Sequence, residues 1–283
     1  LLNWRVNVEG GNSFVGSGEL DGNGVPPDFF GDLHVRRAFH YCFDYDTMIN
    51  DALGGGAVRA RGPIPAGMLG YLEDEALLYA HDPARCEEEF KLADVDGDGI
   101  SAGEDEDDVW NQGFYLQIVY NTGNDDARLI SEILKAELEA LNPRFSLAIV
   151  SMPWPVLVGN QLAGKLPISF NGWFEDYHDP HNWAFSFLHS QGTFARLINM
   201  PPETASMFDE LVERGAALGT AAERRPVYEE IQRIAQEEAV SIWAFQPLRR
   251  YHLQSWIEGF YYNPAYAQPA YSWVYALSKE TSR

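Results

Sequence analysis

No stretch of the 283-residue chain approaches 18 consecutive apolar residues, so no transmembrane helix is encoded. The chain opens at Leu1 with neither an initiator methionine nor a basic, apolar leader, and it reads as a mature product or a cut-out of something longer. Positive charge is scarce: 20 Lys and Arg stand against 42 Asp and Glu, a formal net charge of −22. Such a surface repels phosphate backbones and no basic stripe offers an exception, which argues against nucleic acid and anionic membrane as partners. Only two cysteines occur, Cys42 and Cys86. Each sits in a helix-like stretch beside apolar neighbours, so two buried thiols are expected in preference to a disulfide, although spacing alone leaves both open. No G-x-S-x-G, H-E-x-x-H or C-x-x-C pattern is present, and with them goes any positive sign of an enzyme.

What is present is a folded α/β chain. Hydrophobic residues make up 46% and aromatic residues 13%, enough for one large domain or two modest ones. Residues 1–31, rich in Gly, Asn and Pro, read as a strand followed by long loops. Asp32 caps a helix with Val35, Ala38, Phe39 and Cys42 on one face, and Asp44 or Asp46 opens a short second one that Gly54–Gly56 terminates. Asp82 and Pro83 mark a further helix start. The run FYLQIVY (114–120), a helix over about 125–141, FSLAIVSM (145–152), a short helix over 155–165 and PISFNGW (167–173) alternates strand and helix, the pattern of βαβ units and a largely parallel sheet. Two long helices near 203–218 and 221–238 precede a strand over 240–248 and an aromatic, Pro-broken tail.

Four stretches invite chemistry. ADVDGDGISAGEDEDD (93–108) fits a twelve-position calcium loop, with Asp94, Asp96, Asp98, the Ile100 carbonyl, Ala102 and Asp105 at the ligand positions and Gly99 at the turn. Asp at position twelve replaces the usual Glu, Ala102 requires a water, and a strand follows where a helix is usual. A structural Ca²⁺ and a solvated acidic turn are both left open. GNQLAGKL (159–166) falls short of a phosphate-binding loop because Leu166 stands where a hydroxyl must reach Mg²⁺. HDPH (178–181) offers two imidazoles but no third anchor, and Pro180 is expected to break any helix that aligns them, so a polar loop is the expectation. Glu175 and Asp176 are neighbours in an extended segment and point to opposite faces, which rules them out as an acid/base pair on one bond.

Several stretches together carry a resemblance. DLHVRRAFHYCFDYDTMINDALGGGAVRARGPIPAGMLGY, HDPARCEEEFKLADVDGDG, ISFNGWFEDYHDPHNWAFSFL and VSIWAFQPL resemble segments of the extracellular solute-binding proteins of the oligopeptide/dipeptide/nickel class, which serve ABC importers. The resemblance covers residues 32–277 and only the C-terminal half of such proteins. It departs from the pattern at Cys42, Tyr45, Phe174 and Glu175 and in the acidic insertion after Gly99. It implies a lobe of the type II periplasmic-binding-protein kind over 32–248, with 1–31 and 249–283 completing strands shared with a missing lobe. It implies solute capture without catalysis and without a required cofactor, outside the membrane, with a peptide as ligand and ABC permease subunits as partners. It further implies a monomer in the full-length form and a lipid anchor through the missing N-terminus. Asp176 would grip a peptide α-ammonium, and Trp173, Phe174 and Tyr177 would wall the cleft. Because DGDG turns recur in the family without a role in capture, the acidic loop is expected to be local structure. An oligosaccharide ligand and a calcium-stabilised surface or adhesion module are the alternative readings.

Overall fold

A computed structural model describes residues 1–248, 251–261 and 276–279. In chain order it contains α1 (Leu33–Tyr41), α2 (Tyr45–Thr47), β1 (Ala57–Arg59), α3 (Pro83–Leu92), α4 (Val109–Gln112), β2 (Phe114–Asn121), α5 (Asp125–Leu141), β3 (Phe145–Met152), α6 (Trp154–Leu162), β4 (Ile168–Ser169), α7 (Pro180–Leu188), α8 (Ala195–Ile198), α9 (Pro202–Ala217), α10 (Ala221–Glu237), β5 (Phe245–Pro247), β6 (Ile257–Glu258) and β7 (Ser278–Lys279). A π-helical turn, Met48–Ala52, continues α2. The central sheet has the order β3-β2-β4, all parallel, in register from Phe114↔Phe145 to Asn121↔Met152 and at Ile118↔Ile168. Helices α5 and α6 are its crossovers, as expected from the alternating pattern. The first residues run antiparallel along the β4 edge, where Leu2 bridges Ile168.

Local chemistry accounts for the helix starts. The Asp32 carboxylate accepts from the Val35 amide at 2.8 Å, Asp82 from Ala84 and Arg85 at 3.1 Å, and Asn124 from Ala127 at 3.0 Å. At α10, Thr220 and Glu223 form a reciprocal capping box. The core is built from rings contributed by five elements or their flanks. Phe29, Phe30, Phe39, Phe90, Phe114 and Phe145 are all buried and meet at centroid distances of 4.5–6.3 Å.

Three expectations require correction. Cys42 and Cys86 form a disulfide, with S–S 2.06 Å and Cα–Cα 5.3 Å. α3 packs along α1, which brings its first turns beside the C-cap of α1, a proximity that a separation of 44 residues does not reveal. The strands expected over 167–173 and 240–248 hydrogen-bond in the sheets only at β4 and β5. Of the remaining residues, Phe170, Trp173, Ile242, Trp243 and Ala244 line a cleft, so their apolar character mimics that of buried strands. Finally, Pro180 opens a helix instead of breaking one. Asp179 caps α7 by accepting from the His181 amide at 2.8 Å, and proline at the first helical position loses no hydrogen bond. The expectation for 249–283 falls largely outside the described residues.

Candidate functional site

The cleft between the end of β4, the face of α5 and the segment leading into β5 has a volume of about 480 Å³. Phe170, Trp173 and Phe174 form one wall, Trp243 and Phe245 another, and Ala127, Ile130 and Leu134 of α5 the floor. Trp154, from the first residue of α6, and Trp183 of α7 complete an aromatic rim. Trp154 and Phe174 are 58% and 53% exposed, large apolar surfaces kept in water at the mouth of a concavity.

The wall carrying GWFED is held by polar tethers from α7. The buried Asn182 accepts from Trp173 Nε1 at 2.7 Å and from the Asp176 amide at 3.2 Å, and its own amide donates to Asp176 Oδ2 at 3.3 Å. Glu175 accepts from Trp183 Nε1 at 3.1 Å and pairs with His178 Nδ1 at 2.9 Å. Thus Glu175 and Asp176 do point to different partners. Asp179 makes a bidentate pair with Arg224 (2.8 and 2.6 Å), which anchors the start of α7 to α10. Partial burial would push the Asp179 carboxyl up, but the Arg224 guanidinium and the His181 amide outweigh it and hold the group below the usual carboxylate range.

Of the residues singled out from sequence, Trp173 and Phe174 line the cleft. Asp176 and Tyr177 lie on the same loop, exposed and outside the cleft lining. Tyr177 faces a shallower depression of about 380 Å³ shared with Asp179, His181 and Arg224, where its hydroxyl lies 2.7 Å from His181 Nδ1. Trp154, Asn182 and Trp183 were not anticipated. The legible signal for the last two was Asp179-Pro180, a helix start that places Asn182 and Trp183 on the first turn.

In the acidic loop the ligand atoms of Asp96, Asp98 and Asp105 lie within 4.8 Å of one another, as do those of Asp94, Asp96 and Asp108. Asp108 was not foreseen. Asp94 accepts from the Gly97 and Gly99 amides at 2.9 and 3.1 Å. Burial, with the neighbouring Asp96 and Asp105 charges adding to it, pushes the Asp108 carboxyl up to about 6 against the Val109 and Val95 amides. Asp105 Oδ2 is buried without a hydrogen-bond donor among the described residues. The 159–166 stretch is the end of α6 and the turn after it, with Leu166 buried, and is no phosphate loop.

A parallel α/β lobe with an aromatic cleft at the ends of its strands is the architecture of type II periplasmic binding proteins. Two solved structures show the same fold. DppA from Helicobacter pylori in complex with the peptide STSA matches with a TM-score of 0.67 and 17% identity, covering 89% of this chain and 45% of that one. The PBP AgaA from A.tumefacien R10, in complex with agropinic acid, matches with a TM-score of 0.69 and 18% identity over 90% of this chain and 48% of that one. The family described as "Bacterial extracellular solute-binding proteins, family 5 Middle" matches residues 9–195, and the chain belongs to that family. Among curated relatives, the probable D,D-dipeptide-binding periplasmic protein DdpA of Escherichia coli (strain K12) is 24% identical over 239 residues, which is 83% of this chain and 42% of DdpA. The chain therefore spans less than half the length of these relatives.

Proposed function

We propose that this chain supplies a solute-binding lobe of an extracytoplasmic binding protein that delivers a peptide to an ABC importer. The observation that carries this reading is the aromatic cleft of about 480 Å³, walled by the GWF segment and held open by the Asn182 and Glu175 tethers. Rigid aromatic walls remove water from a solute without demanding one side-chain identity. The buried Cys42–Cys86 disulfide supports a compartment outside the reducing cytoplasm. Permease subunits as partners and a lipid anchor belong to the same proposal.

Asp176 is proposed as the anchor for a peptide α-ammonium. It sits three residues beyond Trp173, is oriented by Asn182, and pairs with no Lys, Arg or His among the described residues. Asp176→Asn should weaken binding of free-amine peptides by about 1.5–3 kcal/mol and leave N-acetylated peptides little changed, measured by calorimetry. Equal affinity of the parent for acetylated and free peptides would sink the assignment and favour an uncharged solute such as a sugar, whose flat faces the same aromatics suit. A structural Ca²⁺ in the acidic loop is a secondary proposal, supported by the two carboxylate groups that share Asp96. Melting should rise on adding millimolar Ca²⁺, and Asp96→Asn should blunt the rise; unchanged melting in the parent leaves an empty turn.

A further inference from the structure

Among the described residues lining the cleft, one side chain carries a formal charge, and it is Asp126, not Asp176. It occupies the first turn of α5, and Ile130 and Leu134 follow it at intervals of four, so the three share the helix face that forms the cleft floor. Asp126 is exposed, and its carboxylate has no hydrogen bond or ion pair among the described residues. Its neighbour Asp125 lies outside the lining and reaches Arg128 Nε at 3.6 Å. Stabilising the start of α5 accounts for an acidic residue at either position, but not for an unpaired one at the end of an otherwise apolar floor.

A solute that fills this cleft strips water from the Asp126 carboxylate. A neutral or anionic solute leaves that charge desolvated and uncompensated, whereas a cationic group restores what water supplied. The net charge of −22 adds a field that draws cations toward the mouth. We infer that Asp126 determines specificity by receiving a cationic side chain of the solute, an ammonium or guanidinium, while the aromatic walls hold its apolar remainder. The preferred class is then a short peptide combining a basic and an aromatic residue. This rests on the cleft being the solute site.

The test compares the tripeptide Ala-Phe-Lys with its Nε-acetyl-lysine form, titrated to millimolar against the whole chain by tryptophan fluorescence. Both peptides keep a free α-ammonium, so any part played by Asp176 cancels. The parent should bind the lysine peptide about tenfold or more tighter than the acetylated one, the scale of one charge-assisted hydrogen bond. Asp126→Asn should abolish the difference, chiefly by weakening the lysine peptide, with the acetylated peptide bound as tightly as in the parent or more tightly because the desolvated charge is gone. Asp125→Asn, which alters the same helix turn outside the cleft, should retain the difference and serves as the folding control. Binding of both peptides with no difference in the parent, or a difference that survives Asp126→Asn, overturns the assignment while the cleft remains a solute site. Binding of neither peptide overturns the solute-site reading and the inference together.

Discussion

The aromatic residues of this protein are used in two opposite ways. Around Phe114, rings from β2, β3, α1 and α3 bury one another completely and are held by shape alone. Around Trp173, rings keep a face toward the cleft and are held by hydrogen bonds at their edges, Trp173 Nε1 to Asn182 and Trp183 Nε1 to Glu175. A phenylalanine has no polar handle and suits the first arrangement. A tryptophan can be fixed from one edge while its face stays free, which suits the second. Phenylalanine therefore fills the interior around Phe114, whereas the cleft, which also presents Phe170, Phe174 and Phe245, adds edge-tethered tryptophans at Trp173 and Trp183.

The largest expected effect follows from that contrast. Phe114→Ala should cost about 3–5 kcal/mol, because a fully packed site cannot collapse around the deletion. Phe174→Ala should stay within about 0.5 kcal/mol while weakening solute binding. Urea unfolding of both variants checks this, and similar losses of stability would break the distinction. Next comes the disulfide, which lies on the core side. Closing a loop of this length is worth about 4 kcal/mol in the chain-entropy model, so the double Cys42→Ser, Cys86→Ser variant should lose about 2–4 kcal/mol, with the cleft's binding unaltered once the protein is folded. Loss of binding in a still-folded variant would show that the staple shapes the cleft as well.

A smaller change is expected at the rim. Asn182→Ala leaves Trp173 Nε1 without its acceptor and frees the Asp176 backbone, at about 1–3 kcal/mol. Near-ultraviolet circular dichroism should show the tryptophan environment loosening before the fold melts, and an unchanged spectrum would mean that packing against Phe194 holds the ring unaided.

The smallest effect concerns charge in the two kinds of site. Burial and the Arg59 and Arg36 charges hold His40 in the core near 3. Its unfolded form takes a proton first, near 6.5, so this group's contribution is complete above about pH 6.5 and is lost as pH falls toward 3. Asp108, raised to about 6, acts in reverse. The folded form takes the proton first, so stability is gained as pH falls from about 6 to about 4. Asp108→Asn removes only the second contribution and should steepen the loss between pH 6 and 4 by about 1 kcal/mol after solvent screening. Parallel urea midpoints for parent and variant across that window would show that Asp108 titrates normally.

Elements whose signals are local were legible in the sequence. The helix over about 125–141, the caps Asp32 and Asp82 and the strand run over 114–120 all depend on residues within a few positions of one another, and α1, α3, α5 and β2 lie where they point. Trp173 lies within the family's motif and Phe174 is a departure from it; both, expected as wall residues, line the cleft. Tertiary structure decided the rest. The Cys42–Cys86 bond needed α3 beside α1, the shortening of the 167–173 and 240–248 runs needed a cavity between them, and the roles of Asn182 and Trp183 needed α7 folded back under the loop. It also decided where carboxylates gather: Asp126 lines the cleft, and Asp108 joins Asp94 and Asp96 in the acidic loop. The physical reason is common to all of these. Helix periodicity and capping are energies between near neighbours in the chain, whereas a disulfide, a cleft wall and a shared charge cluster depend on distances between residues that only packing brings together.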